Sequence, residues 1–168
     1  MLTCKEGVKW VFKLEQEYIF HSNRDLLQDV RFTDNKNKVR LIIRRNGEII
    51  IPLGYAWDGC TPKFCFFDIL IGTPDGVVYS GTVKPKTYYA SLVHDALYQF
   101  LPEMPEEIPL TRRDADLFFF ELMENSLFAP RWIYWLTVRT FGGILMYVRK
   151  KITRKTQGMV HYDNAPII

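Results

Sequence analysis

The apolar residues change their spacing near the middle of the chain, from the alternation typical of strands to the three- and four-residue spacing of helices. Residues 8 to 20 alternate loosely between apolar and polar. The run KVRLIIRR is joined by Asn46-Gly47 to EIIIPL. An Asn-Gly pair between two β-rich runs predicts a hairpin with a two-residue turn, in which both central residues take positive φ.

Two turn-rich segments follow the predicted hairpin. The residues GYAWDGCTPKF, from 54 to 64, combine Gly, Asp and Pro and predict an ordered loop. The stretch from 71 to 85 predicts a second connection that contains a short strand. Both segments separate the strand-forming half of the chain from the helical half.

Apolar residues at helical spacing predict three helical regions in the second half. The first ends at Pro102, and the second begins after Thr111 as N-cap, with Asp114 in the capping-box position. The third contains an interruption at Gly142-Gly143. The three regions cover residues 87 to 101, 112 to 126 and 130 to 152.

The order of strands followed by helices predicts an α+β fold. We expect an N-terminal β-hairpin or small antiparallel sheet, then an antiparallel helix pair, then a C-terminal amphipathic helical region. A chain of 168 residues suits one compact domain, which we expect over residues 1 to 155. Residues 156 to 168 are expected to form a tail that is docked on a partner or disordered.

The cysteines and the N-terminus indicate where the protein is made and kept. Cys4, Cys60 and Cys65 are odd in number and lack the paired spacing of a metal site. A disulfide scaffold is therefore not expected, which favours assembly in a reducing cytoplasm. The N-terminal residues mix charges with apolar residues, so we predict no secretion signal.

Basic charge is concentrated in the third helical region. Residues 131 to 155 contain seven Arg and Lys and no acidic residue, and because the whole chain carries +3, the remainder carries −4. Basic residues interleaved with aromatic ones are typical of a helix that lies on an anionic membrane, and also of a core helix with basic ends. A phospholipid membrane is therefore one expected partner, whereas no feature predicts nucleic-acid binding. The aromatic residues are Trp132, Tyr134, Trp135, Phe141 and Tyr147.

The stretch SLVHDALYQF carries three polar residues on a helix that is otherwise apolar. His94 and Asp95 are adjacent, so on a helix their side chains point about 100° apart, while Tyr98 lies on the same side as both. If the second helix packs antiparallel beside the first, Asp116 is the candidate to meet this group. A carboxylate facing His94 fixes its tautomer and raises its basicity, which leaves the other ring nitrogen free to take a proton from water. Asp95 is then available to hold a cation.

The motif His94-Asp95-Ala96-Leu97-Tyr98, with Asp116 on the next helix, resembles the active site of the secretory phospholipase A2 superfamily. The disulfide-free branch found in parvovirus capsid proteins is the most similar in character. It follows the same motif, after a connection of similar length, with an Ala-Asp-x-x-Phe helix, and this sequence has RRDADLFF. The resemblance covers residues 55 to about 120.

The resemblance implies a role for each of these residues. His94 would activate the attacking water, Asp116 would orient His94, and Tyr98 would donate a hydrogen bond into the dyad. Asp95 would bind calcium, which polarises the ester carbonyl and stabilises the oxyanion. Family members complete the calcium site with backbone carbonyls of a glycine-rich loop. Here the loop departs from that pattern, with one glycine, Gly59, and an added carboxylate, Asp58. Either Asp58 is a direct calcium ligand, or the site holds no metal.

A second resemblance covers more of the chain. AWDGCTP, LVHDALYQ and RRDADLFF, followed by an aromatic and basic segment with a Gly pair, are similar to a family of unknown function that is widespread in tailed bacteriophages and prophages. Membership implies a phage origin and no particular activity. We therefore expect the protein in the host cytoplasm during assembly, with association with the virion as an alternative. Other virion proteins are therefore expected partners.

The same residues support three interpretations of function. The first is a calcium-dependent, phospholipase A2-like lipid ester hydrolase. The second is a non-enzymatic virion or tail protein that keeps the helix pair as a scaffold, with His94 in a packing cluster and Arg112 or Arg113 clamping Asp95. The third is a metal-dependent phosphohydrolase of the His-Asp type, which requires a further histidine ligand, and only His21 lies upstream.

Overall fold

The computed structural model describes the backbone of residues 12–26, 28–60, 63–66, 69–72, 84–156 and 161–163, and the side chains of residues 12–26, 28–60 and 84–143. In these residues eight strands come first, three helices follow, and a ninth strand comes after the helices, which confirms the α+β class. The strands are β1 (Phe12–Lys13), β2 (Tyr18–His21), β3 (Val30–Thr33), β4 (Val39–Ile43), β5 (Glu48–Ile51), β6 (Ala56–Trp57), β7 (Lys63–Phe66), β8 (Ile69–Gly72) and β9 (His161–Asp163).

Five of the strands form one antiparallel sheet in the order β2-β5-β4-β3-β9. Two smaller antiparallel pairs join β1 to β6 and β7 to β8. In β5, Ile49, Ile50 and Ile51 are all buried, so this strand lies within the core rather than on one surface of the sheet.

Three helices follow the sheet: α1 (Tyr88–Phe100), α2 (Arg112–Asn125) and α3 (Arg131–Thr156). A 3₁₀ turn, Leu101–Glu103, follows α1 because Pro102 has no backbone N–H with which to continue the helix. The predicted capping box starts α2. The hydroxyl of Thr111 accepts a hydrogen bond from the backbone N–H of Asp114, and the Asp114 carboxylate accepts one from the backbone N–H of Thr111 at 2.8 Å.

Aromatic contacts join the sheet to the helix pair. The ring of Phe32 in β3 stacks 5.0 Å from that of Phe100 in α1, and the ring of Phe20 in β2 lies 5.2 Å from that of Phe118 in α2. These residues belong to a core that also contains Trp57, which is buried. A second cluster, between α2 and α3, contains Cys60, Phe119, Met123, Phe128, Tyr134 and Val138.

The predicted hairpin forms, but its turn differs from the prediction. β4 and β5 pair antiparallel, with Ile42 opposite Ile50. The prediction of a two-residue turn is wrong. Of Asn46 and Gly47, only Gly47 has a positive φ, at 82°, and its N–H donates to the carbonyl of Arg44 at 2.9 Å. Such a three-residue loop places a single residue in the left-handed region. The Asn46 side chain instead accepts a hydrogen bond from the backbone N–H of Glu48 at 3.2 Å.

Other boundaries also differ from the sequence expectations. The loop predicted from 54 to 64 contains β6 and the start of β7, and α3 runs through Gly142-Gly143 without a break. Part of the segment treated as a tail, β9, pairs with β3 of the same chain. The connection predicted from 71 to 85 lies mostly outside the described residues. None of the described helices is both long enough and apolar enough to cross a membrane.

Candidate functional site

The candidate site lies between α1 and α2, and its contacts show how the two helices run. His94 contacts Asp116, and four residues further along α1, Tyr98 contacts Arg112, four residues earlier on α2. Because a later residue of α1 contacts an earlier residue of α2, the two helices run antiparallel, as predicted. His94 and Tyr98 share one face of α1 because they are four residues apart.

Asp116 is the centre of the site. Its Oδ1 atom lies 3.1 Å from His94 Nε2 and accepts a hydrogen bond from the Tyr98 hydroxyl at 2.5 Å. Its Oδ2 atom accepts one from Arg139 Nη1 at 2.9 Å. The residue has no exposed surface, so donors from α1 and α3 replace the water that a carboxylate requires.

These contacts determine the protonation of the dyad. Burial by itself raises the pKa of Asp116, but hydrogen bonds from His94, Tyr98 and Arg139 outweigh burial and hold this pKa below its usual value. The ionised carboxylate has no proton to donate, so His94 donates from Nε2 and carries its lone pair on Nδ1 when the ring is neutral. Burial likewise raises the pKa of Tyr98, and its hydrogen bond to Asp116 raises it further, so its hydroxyl remains a donor.

The Nδ1 side of the His94 ring faces Asp95. The Nδ1 atom lies 3.7 Å from Asp95 Oδ1, which is beyond direct hydrogen-bond length. His94 retains 8% of its surface exposure, while the rings of Tyr98 and Phe119 pack at 4.1 and 4.9 Å from its ring. Burial by itself lowers the pKa of His94, but the hydrogen bond with Asp116 and the nearby negative charges of Asp95 and Asp116 outweigh burial and raise this pKa.

Two arginines are part of the site: Arg139, which sequence analysis did not assign to it, and Arg112, which was considered only as a clamp on Asp95. Arg139 reaches Asp116 from α3, and Arg112 donates from Nε to the Tyr98 hydroxyl at 2.9 Å. Arg112 also donates from Nη2 to the carbonyl oxygens of Val138, at 2.9 Å, and of Arg139. The expected clamp on Asp95 is therefore wrong for Arg112, which instead joins α1 and α2 to the backbone of α3.

The glycine pair of α3 allows this close contact. A Cβ atom built on Gly142 would lie 2.8 Å from the Tyr98 hydroxyl oxygen, and one built on Gly143 would lie 2.8 Å from Arg112 Nη1. Both distances are shorter than a side chain tolerates. The pair that the sequence indicated as a helix interruption is therefore a packing surface for the candidate site.

The loop that was predicted to supply calcium ligands lies against the N-terminal half of α1. Trp57 Nε1 donates to Ser91 Oγ at 3.1 Å, and Cys60 packs in one cluster with Ala90. Asp58 and Gly59 lie between Trp57 and Cys60 in the sequence. Calcium prefers hard oxygen donors, and the carboxylates of Asp95 and Asp58 and the backbone carbonyl of Gly59 are donors of this kind.

The described part of the chain contains no group of three or more His, Cys, Asp or Glu side chains placed to hold a metal ion. A site with one or two carboxylates and several backbone carbonyls would not contain such a group either, so calcium binding stays a prediction. His21 lies at the end of β2, where its Nδ1 atom is 3.7 Å from Glu48 Oε1. That pairing gives the third interpretation no support.

The structure brings together His94, Tyr98 and Asp116, as the sequence predicted, with Asp95 beside them. Sequence analysis missed the role of Arg139, because an arginine ten residues before the basic cluster that begins at Arg149 looks like any surface charge. Its position three residues before the glycine pair was the available signal. Comparisons of the chain with protein-family models, with curated proteins and with solved structures found no match.

Proposed function

We propose that the protein is a phage-encoded, phospholipase A2-like hydrolase of lipid carboxylic esters, in which His94 is the general base. One observation carries this proposal: a buried Asp116 carboxylate, fixed by Tyr98, holds His94 by Nε2 and leaves Nδ1 as the basic atom. The phage origin and the lipid substrate are supported by the sequence motifs and by their placement on an antiparallel helix pair.

The proposed chemistry begins with a water molecule at Nδ1 of neutral His94. The nitrogen takes a proton from the water as its oxygen attacks the ester carbonyl carbon, which gives a tetrahedral intermediate. The bond from that carbon to the alcohol oxygen then breaks, and the imidazolium returns the proton to the departing alkoxide. The products are a fatty acid and a lysophospholipid. Asp116 stays ionised throughout and stabilises the imidazolium, because Arg139 and Tyr98 continue to donate to it.

Asp95, together with Asp58 and the backbone carbonyl of Gly59, would hold the calcium ion that this proposal includes. Bound there, calcium would polarise the ester carbonyl and offset the charge of the oxyanion. Asp95 also offers its Oδ1 atom on the same side as Nδ1 of His94. The protein's own contribution is thus a base and a carboxylate that face the same space.

The test is fatty-acid release from vesicles of mixed neutral and anionic phospholipids, with and without calcium. His94→Asn and Asp116→Asn should each lower the rate by about 10²- to 10⁴-fold, the range that general acid–base catalysis supplies. His21→Asn is the matched control, because this second histidine is exposed on β2, and it should retain the full rate. Release by wild type that equals release by His94→Asn would refute the hydrolase.

Calcium is tested separately by titration calorimetry. Wild type should bind calcium, and Asp95→Ala should abolish the binding without unfolding the protein, since Asp95 makes no contact within hydrogen-bond length of His94. If the protein hydrolyses lipid but does not bind calcium, the roles of His94 and Asp116 stand and the calcium site is refuted.

A second candidate function is supported by the same network. Asp116 accepts hydrogen bonds from α1 and α3 at once, and Arg112 bonds the backbone of α3, so the cluster ties three helices together whether or not it is catalytic. This favours a virion or tail protein that uses the cluster as scaffold. Mass spectrometry of purified phage particles tests this function, and absence of the chain from the particles would contradict it.

A further inference from the structure

The outer face of α3 is apolar where it meets solvent. Trp132, Ile133 and Leu136 lie on one side of the helix and are 61%, 67% and 58% exposed. The opposite side is fixed in the core by Tyr134 and Val138, which are buried. A surface helix normally turns its polar residues to solvent, so an apolar outer face indicates contact with something outside the described fold.

Neighbouring aromatic residues hold this face in place. The ring of Trp132 lies 4.5 Å from that of Phe120 on α2 and 6.1 Å from that of Trp135. Arg131 lies with its guanidinium carbon 5.8 Å from the Phe120 ring centroid. The exposed side chains are therefore held by packing against α2 and do not lie on a free helix end. Trp also prefers the boundary between water and hydrocarbon.

The charge of α3 indicates which surface it meets. Residues 131 to 155 carry seven basic residues and no acidic one, against −4 for the rest of the chain. In the described part, Arg131 pairs with Glu124 at 3.6 Å and Arg139 pairs with Asp116. The other five follow from residue 149 on, about 20 Å along the axis from Leu136 at 1.5 Å per residue. An apolar half is thus followed by a basic half on one helix.

We propose that the outer face of α3 docks on an anionic phospholipid surface, with the helix lying in the plane of the headgroups. The apolar side chains enter the acyl boundary, and the basic half is attracted to the lipid charge. A second copy of the chain is disfavoured as the occupant, because it brings another seven cations to a helix that has no acid to offset them. Docking does not require catalysis, so the proposal goes beyond the hydrolase function.

The experiment is co-sedimentation with vesicles of phosphatidylcholine alone and of phosphatidylcholine with phosphatidylglycerol, at low and high salt. Wild type should bind the anionic vesicles, bind the neutral ones weakly, and lose affinity as salt rises. Leu136→Gln and Trp132→Ser should each lower the partition coefficient by about tenfold, because each removes one buried apolar side chain from the bound state. Leu53→Gln is the matched control: Leu53 is also 58% exposed but follows β5, and its replacement should have no effect.

Three results would overturn the proposal. Wild type that does not bind anionic vesicles at low salt rules out docking. Binding that is equally weakened by Leu53→Gln, or unchanged by Leu136→Gln, places the contact elsewhere. A dimer in size-exclusion chromatography that Leu136→Gln dissociates, without vesicle binding, assigns the face to a protein contact. His94→Asn should bind like wild type, so failure of the hydrolase and failure of docking are distinguished.

Discussion

Replacing Gly142 by Ala tests whether α3 closes the candidate site as the structure describes. In an ordinary helix interior this change stabilises a protein by about 1 kcal/mol, because Ala loses less backbone entropy than Gly on folding. Here the added Cβ would lie 2.8 Å from the Tyr98 hydroxyl oxygen, 3.2 Å from Tyr98 Cε1 and 3.3 Å from Arg112 Nη2. The sign of the effect therefore depends on whether those atoms can move.

Tyr98 has little freedom to move away. Its hydroxyl donates to Asp116 at 2.5 Å and accepts from Arg112 at 2.9 Å, and its ring packs on His94. Overpacking of a close-packed interior costs about 1–3 kcal/mol, which exceeds the gain of about 1 kcal/mol from Ala. We expect Gly142→Ala to lower the free energy of unfolding by about 1 kcal/mol, or the melting temperature by roughly 2–4 °C for a chain of this size.

Gly143→Ala is the matched control. The Cβ atom it adds would lie 2.8 Å from Nη1, at the far end of the Arg112 side chain. The Arg112 head is held by hydrogen bonds from Nε and Nη2, but it ends a flexible side chain, so we expect Gly143→Ala to lower the free energy of unfolding by less than Gly142→Ala does. The assay is urea denaturation followed by circular dichroism, with the midpoint and slope of each variant compared. If Gly142→Ala instead raises the free energy of unfolding by about 1 kcal/mol, as in an exposed helix, α3 does not pack closely on Tyr98.

Three further predictions concern the caps and charges of the site. Thr111→Ala removes the capping box of α2 and should lower the free energy of unfolding by about 1 kcal/mol; an unchanged urea midpoint would contradict the cap. Arg139→Met removes a charged donor to Asp116 and should lower the free energy of unfolding by about 1–3 kcal/mol. The control is Arg131→Met, which removes the ion pair with Glu124 on the surface and should lower the free energy of unfolding by less than about 1 kcal/mol. The pKa of His94 is raised in the folded state, so its stabilisation is complete below its ordinary value of 6.5 and is lost as pH rises through the folded pKa. Urea midpoints should fall more steeply with rising pH in wild type than in His94→Asn, and equal slopes would contradict the raised pKa.

The sequence allowed the class of fold and most elements to be predicted, since these depend on local periodicity. α1 and α2 were predicted to within one residue at either end, because Pro102 and the Thr111 box are strong local signals. The strands of the hairpin were predicted because two β-rich runs flank Asn46-Gly47, which is also a local signal. Its turn was not, because Asn46 satisfies a backbone N–H with its side chain and needs no positive φ, which competes with the usual Asn-Gly geometry.

The centre of the site was predicted because its spacing is local to two helices. His94 and Tyr98 lie on one face at four-residue separation, and an antiparallel partner brings Asp116 opposite them. The contacts of Arg112 and Arg139 were not predicted, because they depend on how α3 crosses the pair. That crossing is decided by two glycines, and a Gly pair in a sequence indicates a break as readily as a close approach.

The protonation of His94 connects the stability of the fold to the proposed chemistry. Asp116 and Asp95 together favour the charged ring, so the imidazolium is the form that stabilises the helix pair most. A general base must be neutral, so the proposed reaction uses the protonation state that stabilises the fold less. Arg139 reduces this conflict because its charge offsets that of Asp116: the carboxylate still orients the ring but attracts its proton less strongly. A cation supplied by α3 would therefore favour the proposed role of the His94–Asp116 pair as a base over that of a permanent ion pair.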